Sequence, residues 1–371
     1  MYFLNEDERR FLRRRLLPEA RQRQVHPTLR GWHWASVDAP ARPTYGAELG
    51  VVEVADGYCR SGRDVYVRRV LGQPVRPTRE IQEVAALHAF AAAWVTRAKA
   101  LMYAIQPALL MHRLPDLLTD AVLPLPSDPE VARKAEAIRQ FETYRLLALV
   151  QETLARQPEI GPDALVASVL PVTVEQRLDG RFLGLSPHLA VDALLFNGPI
   201  VLELKFGPRR EFHRLATTGY ALALESVHEM PVDLGCVVYV DFRQNGLAIE
   251  RDFHFIDDEL RTRFIEARDE KQRLVEEEID PGLPDQCYDR CPHLRFCGTP
   301  AQQRAAASSR GAAGISSARL ATPPQRRALS SADQGRARAP QRPASANLPD
   351  DQPDPSAQDD YVPPSLPAAG A

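Results

Sequence analysis

The 371-residue sequence contains very little lysine, since four of its 46 basic residues are lysines and the rest are arginines. It also lacks any uncharged apolar run of the roughly 20 residues that a membrane-spanning helix needs. The opening segment mixes acidic residues with its arginines and has no apolar core, so it does not resemble a signal peptide. These absences argue against a membrane partner and against secretion, and they predict a cytoplasmic protein.

An excess of positive charge is missing as well. The 46 Lys and Arg residues are balanced by 49 Asp and Glu residues, which gives a formal net charge of −3. A globally basic surface for nucleic acid is thereby excluded, and a local patch or a bound metal would have to take its place. One local patch could contact DNA phosphates, with an ordinary solvated surface as the alternative interpretation. Its members are Arg60, Arg63, Arg68, Arg69, Arg76 and Arg79.

The pattern of apolar residues predicts an α/β (α+β) core followed by a disordered tail. Residues 301–371 hold one aromatic residue among many Pro, Ala, Ser, Gln and Arg residues, a composition that cannot bury enough apolar surface to fold. We expect a helical N-terminal region (1–112), a central core (113–280) and a cysteine-bearing region (281–300). Helical periodicity covers roughly residues 5–24, 78–112, 128–156, 211–228 and 256–278. The strand-like runs are ALVASVLPVTVEQRL, HLAVDALLF, PIVLELKF, LGCVVYVDF and LAIERDFHF.

A hairpin is predicted at Asn197–Gly198, because this dipeptide between apolar runs is the strongest short-range hairpin signal. A two-residue loop there, or a four-residue loop with the same centre, places Asp192 directly opposite Glu203 on one face of the sheet. Directly opposed side chains lie about 5 Å apart, and two carboxylates at that distance repel each other. We therefore expect a cation between them.

Strand alternation adds Lys205 to the face that carries Glu203, whereas Leu202 and Leu204 point into apolar packing. Two carboxylates and a lysine at one point suit metal-assisted hydrolysis of a phosphodiester bond. Carboxylate oxygens hold Mg²⁺ or Mn²⁺, the metal activates a water molecule, and the lysine positions it. The alternative is an ion-pair ladder on an exposed strand. The catalytic interpretation is favoured because lysine is rare in this chain.

Asp192, Glu203 and Lys205 resemble the core motif of the PD-(D/E)XK nucleases of the RecB type. The resemblance implies a restriction-endonuclease-like core over 113–280, with Tyr220 on the following helix as a further catalytic residue. It also implies a metal site formed by His88, Asp192, Glu203 and the backbone carbonyl of Leu204. The alternative for His88 is a packed core histidine, because it shares a helical stripe with apolar residues of the same segment. The sequence departs from the family pattern in two places. Val84 stands where a glycine precedes the histidine, and Ala216 stands where a glutamine precedes the tyrosine, a role that His213 could take over.

The cysteines extend this resemblance. Cys59 together with the trio Cys287, Cys291 and Cys297 is similar to the iron–sulfur nucleases of the same superfamily. RGWHW and YGAELGVVEVADGYCRSGRDVYVRR resemble the CRISPR-associated RecB-like nucleases, the fourth Cas family, in the branch of type I-A systems. In that family four thiolates hold a [4Fe–4S] cluster. Spacing alone leaves zinc open, with His293 as an extra ligand. Cys236 lies in an apolar strand and is expected to be a core residue.

The resemblance implies a metal-dependent DNA exonuclease or endonuclease. Such an enzyme would process precursor spacers in CRISPR adaptation, with single-stranded or overhanging DNA ends and the CRISPR integrase complex as partners. Two alternatives remain. One is a RecB-like nuclease of DNA recombination or repair, and the other is a non-catalytic adaptor that binds DNA through a cysteine-held cluster or zinc.

Overall fold

The computed structural model describes residues 1–2, 4–74, 77–118, 123–195, 198–244, 246–285, 287–288 and 291–297. The predicted disordered tail at 301–371 lies outside the described residues, as do Arg76 and Asn197. The described residues belong to one compact unit. Within them, no helix is both long enough and apolar enough to cross a membrane.

Short helices form the beginning of the chain. Helix α1 (Glu6–Phe11) continues through a π-helical turn (Leu12–Leu16) into α2 (Leu17–Gln22), which confirms the helix predicted over 5–24. Asn5 caps α1, because its side chain accepts from the backbone N–H of Glu8 while the Glu8 side chain accepts in return. Two 3₁₀ turns (Pro27–Leu29 and Gly31–Ala35) lead to the short helices α3 (Val51–Ala55) and α4 (Arg63–Arg69).

Long helices follow, namely α5 (Arg79–Ala104), α6 (Pro107–Leu117), α7 (Pro129–Arg156) and α8 (Pro162–Val169). Helix α5 begins after Thr78, whose hydroxyl accepts from the backbone N–H of Ile81. The prediction of one helix over 78–112 was wrong, because the chain leaves the helical conformation at Ile105 and Gln106. A proline disfavours the helical conformation in the residue before it, and Pro107 then starts the next helix.

Five strands form one mixed sheet in the order β1-β2-β3-β4-β5. They are β1 (Val172–Leu178), β2 (Leu189–Leu195), β3 (Ile200–Lys205), β4 (Leu234–Arg243) and β5 (Gly246–Phe255). Strands β3 and β4 are parallel and the other neighbours are antiparallel. Helix α9 (His213–His228) makes the crossover between the parallel pair, and α10 (Asp258–Glu276) and α11 (Leu294–Cys297) follow the sheet.

The strand predicted over ALVASVLPVTVEQRL was wrong in its first half. ALVASV belongs to α8, and only VTVEQRL after Pro171 forms a strand. A short apolar run does not distinguish a buried helix from a buried strand. The burial of Leu165, Val166 and Val169, at the helical spacing of three and four residues, accounts for the outcome.

Helices cover both faces of the sheet. Leu202 of β3 belongs to a hydrophobic cluster that includes Trp94 of α5, and the adjacent Val201 belongs to a second cluster with Leu222 of α9 and Phe264 of α10. Successive residues of a strand point to opposite faces, so the two clusters lie on opposite sides of the sheet. The predicted α/β fold class is confirmed.

A buried ion network joins the 3₁₀ turns to α9 and α10. The two terminal guanidinium nitrogens of Arg261 donate to the carboxylate of Glu225, at 2.8 and 2.9 Å. Neither side chain has any exposed surface. Arg30 donates to Glu225 at 2.7 Å and also contacts Asp233. The backbone approaches closely here, since a Cβ atom on Gly31 would lie 2.0 Å from the carbonyl oxygen of Leu222. Only glycine fits at position 31.

Three of the four lysines make hydrogen bonds to backbone carbonyls or ion pairs within the fold. Lys99 donates to the carbonyl of Val172 at the start of β1, and Lys134 pairs with Glu83 across α5 and α7. Lys271 of α10 donates to three carbonyls at the end of α3, those of residues 53, 54 and 56, at 2.9 to 3.0 Å. Lys271 therefore fixes the loop that leads to Cys59.

Candidate active site

The hairpin of β2 and β3 has the predicted register. Three pairs are formed, Ala193 with Leu202, Leu194 with Val201 and Leu195 with Ile200. Continued by one residue, this register places Asp192 across from Glu203. Gly198 has a φ of +102°, which a glycine in the turn adopts without strain. The hairpin register predicted from the sequence is thus confirmed for the three pairs that form.

Two carboxylates meet here in a mostly buried space. The Glu203 side chain is 4% exposed, its Oε1 accepts from Lys205 Nζ at 2.7 Å, and its Oε2 is buried with no partner among the described residues. Asp192 Oδ2 accepts from the backbone N–H of Leu204 at 2.8 Å. Burial, and then the charge of Glu203, raise the pKa of Asp192 well above its ordinary value. A further positive charge beside the pair would therefore offset the repulsion between the two carboxylates.

Lys205 remains protonated in this setting. Burial acts to lower its pKa, but the carboxylates of Glu203 and Asp192 outweigh burial and raise it. The side chain keeps a quarter of its surface exposed. An ammonium group is therefore held beside the carboxylates and remains accessible from solvent.

His88 reaches the same point from α5. Its Nδ1 lies 3.6 Å from Asp192 Oδ2, and its ring packs edge-on against Phe206 with a centroid distance of 5.2 Å. Burial lowers the pKa of His88 to about 4, with Glu203 opposing and Lys205 adding to the shift. The imidazole is neutral at pH 7, which is the form that binds metals. His88 therefore lies beside Asp192, and its role as a metal ligand stays a prediction.

Helix α9 forms the wall beside the carboxylates. Tyr220 is buried on this helix, and burial, followed by the charges of Glu203 and Asp192, raises its pKa, so the hydroxyl stays neutral. His213 lies at the start of the helix with Nδ1 3.1 Å from the Tyr239 hydroxyl. Burial and then Lys205 lower the pKa of His213 to about 4.

Two residues that the sequence argument missed also act on this site. Glu175 of β1 stands between the pairs Val174–Ala193 and Gln176–Val191, across from Asp192, and has a left-handed φ of +50°. Burial and Glu203 raise the pKa of Glu175. The position could have been found by continuing the strand pairing from β2 to VTVEQRL.

The second missed residue is Tyr2, whose side chain is buried and whose hydroxyl has no partner among the described residues. Burial, and then the charges of Asp192 and Glu203, raise its pKa well above the ordinary value. The phenol therefore lies within electrostatic range of the two carboxylates. No sequence signal links residue 2 to the hairpin.

Two of the four predicted cysteine ligands, Cys291 and Cys297, are influenced by other members of the set. Burial raises the pKa of the Cys291 thiol to about 11. A backbone hydrogen bond from His293 opposes the shift, and the charges of Cys59 and Cys297 add to it. Burial raises the pKa of Cys297, Arg63 opposes the shift, and Cys59 and Cys287 add to it. The fold thus brings residue 59 to the segment near the end of the described chain. Cys236 is fully buried in β4, as predicted for a core residue.

A family model described as CRISPR-associated exonuclease Csa1 matches residues 1–300 of the chain. The chain belongs to this family. Two proteins called CRISPR-associated exonuclease Csa1 are each 30% identical to it, one from Saccharolobus solfataricus over 278 residues and one from Thermoproteus tenax over 282 residues. Each match covers 74% of this chain, and it covers 93% and 92% of the two relatives. The prediction of a CRISPR-associated nuclease is confirmed at the level of the family.

Most of the arginines that were predicted to contact DNA phosphates form ion pairs with carboxylates in this Csa1-family fold. Arg63 makes two bonds to Asp280, at 2.8 and 2.7 Å. Arg60 is exposed, and Arg76 lies outside the described residues. DNA contact by these six residues stays a prediction, and Arg60 has the freest charge among the described members. The remaining pairs are Arg68 and Arg69 with Glu53, and Arg79 with Asp128.

A preformed metal site is absent from the described residues of this Csa1-family chain, because no three His, Cys, Asp or Glu side chains stand in the required arrangement. Asp192 and Glu203 instead accept hydrogen bonds from the backbone of β3 and from Lys205. The donor set nevertheless fits a hard divalent cation, since it combines two carboxylates with a neutral imidazole. The unpartnered Oε2 of Glu203 is an acceptor that such a cation would satisfy.

Proposed function

We propose that this protein is a Mg²⁺- or Mn²⁺-dependent DNA nuclease of the cytoplasm. It trims single-stranded or overhanging ends of precursor spacers for a CRISPR integrase complex. The observation that carries the proposal is the meeting of Asp192, Glu203 and Lys205 on one hairpin with His88 beside them. The names of the relatives support the reaction class and the CRISPR context.

The proposed reaction is hydrolysis of a phosphodiester bond. His88, Asp192, Glu203 and the carbonyl of Leu204 would hold the cation, which when bound supplies charge neutralisation at the scissile phosphate and acidifies a water molecule. The Lys205 ammonium, fixed by Glu203, orients the attacking water and stabilises negative charge on the phosphate. Neutral His88 leaves a lone pair for the metal. The neutral Tyr220 hydroxyl supplies a hydrogen-bond donor on the α9 side.

The sheet topology supports a PD-(D/E)XK core for this chemistry. Strands β1, β2 and β3 form an antiparallel meander, and α9 then carries the chain to β4, which is parallel to β3. The carboxylates lie on the central strands, and the crossover helix packs over that face. A rigid sheet of this kind can hold catalytic groups with little freedom of movement.

A cleavage assay tests the proposal with purified full-length protein. The substrates are end-labelled single-stranded DNA, a duplex with an overhang and a blunt duplex, each with Mn²⁺, Mg²⁺ or EDTA. We expect metal-dependent cleavage of the first two substrates and a loss of about 100-fold in rate for Lys205→Ala, as for removal of one electrostatic catalytic group. Lys134→Ala serves as the control, because the carboxylates that this lysine pairs with, Glu83 and Glu130, lie outside the proposed site.

Cleavage by Lys205→Ala at the wild-type rate would show that the site is misassigned. Tight binding of DNA by the wild-type protein without cleavage under any metal condition would favour the adaptor alternative.

We further propose that Cys59, Cys287, Cys291 and Cys297 hold a [4Fe–4S] cluster, with zinc as the alternative. Contacts between the two segments support this assignment, because the Ser61 hydroxyl donates to the carbonyl of Gly282 at 3.0 Å and Arg63 donates to Asp280 at 2.8 Å. The buried Nδ1 of His293, which has no partner among the described residues, gives zinc an additional donor. Either centre would connect the loop after α3 to the segment before α11.

Replacing one ligand tests the cysteine centre. Cys59→Ala is expected to lose the iron and the blue-region absorption of anaerobically purified protein, because three thiolates remain for a four-thiolate centre. Cys236→Ala, at the fifth cysteine, is the matched control and should keep both. Iron and zinc contents are measured by metal analysis, and the visible spectrum is recorded on the same samples. Colourless protein with one zinc per chain would show that the four cysteines hold zinc and not a cluster. Protein with neither metal would contradict a metal centre at these cysteines.

A further inference from the structure

Aromatic rings connect the cysteine segments to the candidate active site. Tyr58 precedes Cys59 and packs edge-on against Phe212 with a centroid distance of 5.0 Å. Its other neighbour is Tyr288, which follows Cys287, with ring centroids also 5.0 Å apart. A Cβ atom on Gly57 would lie 2.9 Å from the Phe212 ring, so the loop rests directly on the residue before α9. We call Tyr58 and Tyr288 the tyrosine pair.

Tyr58 of the tyrosine pair lies within electrostatic range of Lys205. Lys205 lowers the pKa of the Tyr58 hydroxyl, although burial dominates and raises it, and Tyr58 in turn acts on Lys205. Asp56, two residues earlier, is also under the influence of Lys205. A chain of contacts also connects the two places, because Phe212 packs on His213, whose Nδ1 lies 3.1 Å from the Tyr239 hydroxyl, and Tyr239 pairs with Lys205 between β4 and β3. Tyr58 therefore lies on the Lys205 side of the candidate active site.

Both rings remain open to solvent although they pack against other aromatic residues. Tyr58 is 38% exposed and Tyr288 is 41% exposed. Two arginine side chains in this region are exposed, those of Arg60, two residues after Tyr58, and of Arg210, which acts electrostatically on the Tyr58 hydroxyl. Exposed rings beside exposed guanidinium groups are complementary to a single strand, which presents unstacked bases along a charged backbone.

We propose that the tyrosine pair is a stacking site for an unpaired base of the DNA strand that enters the nuclease site. The proposal rests on the proposed nuclease function and names the part of the substrate that is recognised. A duplex keeps its bases stacked inside, so a stacking site selects single-stranded or overhanging ends. Tyr58 lies in the loop after α3, and Tyr288 lies in the segment that carries Cys287 and Cys291. The stacking site is therefore complete only when this loop and this segment are held together.

The direct test is a fluorescence titration with single-stranded DNA that carries 2-aminopurine, whose emission falls when it stacks. The protein is full-length with its cysteine centre intact and carries Asp192→Asn to prevent cleavage. We expect quenching on binding. Tyr58→Leu and Tyr288→Leu should each remove the quenching and raise the dissociation constant roughly 5- to 100-fold, the range measured for loss of one base–aromatic contact.

Three controls separate stacking from a structural role. Tyr58→Phe keeps the ring and should bind within about twofold of the parent. Tyr144→Leu removes a tyrosine on α7 that is 73% exposed and should change nothing. DNA with an abasic position in place of 2-aminopurine should bind the parent and Tyr58→Leu equally.

The outcomes distinguish this proposal from the nuclease proposal. If Tyr58→Leu weakens binding to abasic and to base-containing DNA by the same factor, the pair has no stacking role and the inference is wrong. The same conclusion follows if wild-type protein cleaves single strands while the Leu variants keep wild-type quenching. Failure of wild-type protein to cleave any DNA contradicts the nuclease function and leaves the quenching result to decide on stacking.

Discussion

Asp192→Asn should reduce metal-dependent DNA cleavage at least about 1000-fold, because loss of a metal ligand forfeits several kcal/mol of transition-state stabilisation. The same substitution should make the metal-free protein more stable at neutral pH. Asp192 and Glu203 are buried together beside one lysine, and burial, followed by repulsion from Glu203, raises the pKa of Asp192. An amide removes that repulsion and can still accept from the Leu204 N–H.

The gain in stability should depend on pH with a defined sign. The pKa of Asp192 in the fold lies above its ordinary value of about 4. Between the pKa of Asp192 in the unfolded chain and its higher pKa in the fold, the folded protein holds a proton that the unfolded chain releases. The free energy of unfolding of the wild-type protein therefore falls as pH rises through this range. The amide side chain of the Asp192→Asn variant does not titrate. The advantage of the variant should therefore be absent below about pH 4 and grow as pH rises through the folded pKa.

Urea denaturation of metal-free protein at acidic and neutral pH measures this difference. Asp241→Asn, at a carboxylate of β4 that is 73% exposed, is the matched control and should show no such pH-dependent gain. Added Mn²⁺ should stabilise the wild-type protein by mass action and leave Asp192→Asn unchanged. Equal stability of the two proteins at all pH values, or equal stabilisation by Mn²⁺, would contradict the assignment of Asp192 as a buried metal ligand.

Arg261→Ala is expected to lower the free energy of unfolding by about 3 to 5 kcal/mol, because it leaves the buried Glu225 carboxylate without its main partner. Both nitrogens of the Arg261 fork contact this carboxylate, and the guanidinium also donates to the carbonyls of Leu29, Val232 and Ile256. Arg30 alone would have to compensate Glu225 and Asp233.

The matched control lies two residues further along the same helix. Arg263 pairs with Glu211 at the surface, and Arg263→Ala should lower the free energy of unfolding by at most about 1 kcal/mol. Urea denaturation of the two variants measures the difference. Losses of the same size for both would show that the network around Glu225 does not stabilise the fold.

The sequence predicted features that depend on local rules. Helix α7 was expected over 128–156 and spans Pro129–Arg156, because Asp128 caps it and its apolar stripe is long. The hairpin register followed from the Asn-Gly turn and from the even period of a strand. The pairing of Asp192 with Glu203 needed no knowledge of the remaining fold.

Features that depend on distant contacts could not be predicted. Arg63, Arg68 and Arg69 looked like a free basic strip, but their charges are taken by Asp280 and Glu53, which the sequence does not mark as neighbours. The place of Glu175 across from Asp192 follows from strand pairing, but its left-handed backbone conformation, which non-glycine residues rarely adopt, could not be predicted.

The lysine contacts described above matter for chemical work on this protein. Each of the four lysine side chains is buried or half-buried, and each contacts a carbonyl or a carboxylate. Acylation of Lys271 would break the bonds that fix the loop before Cys59, and acylation of Lys205 would remove its charge. Amine-directed labels and cross-linkers would therefore perturb the folded protein and leave most of its surface unmarked.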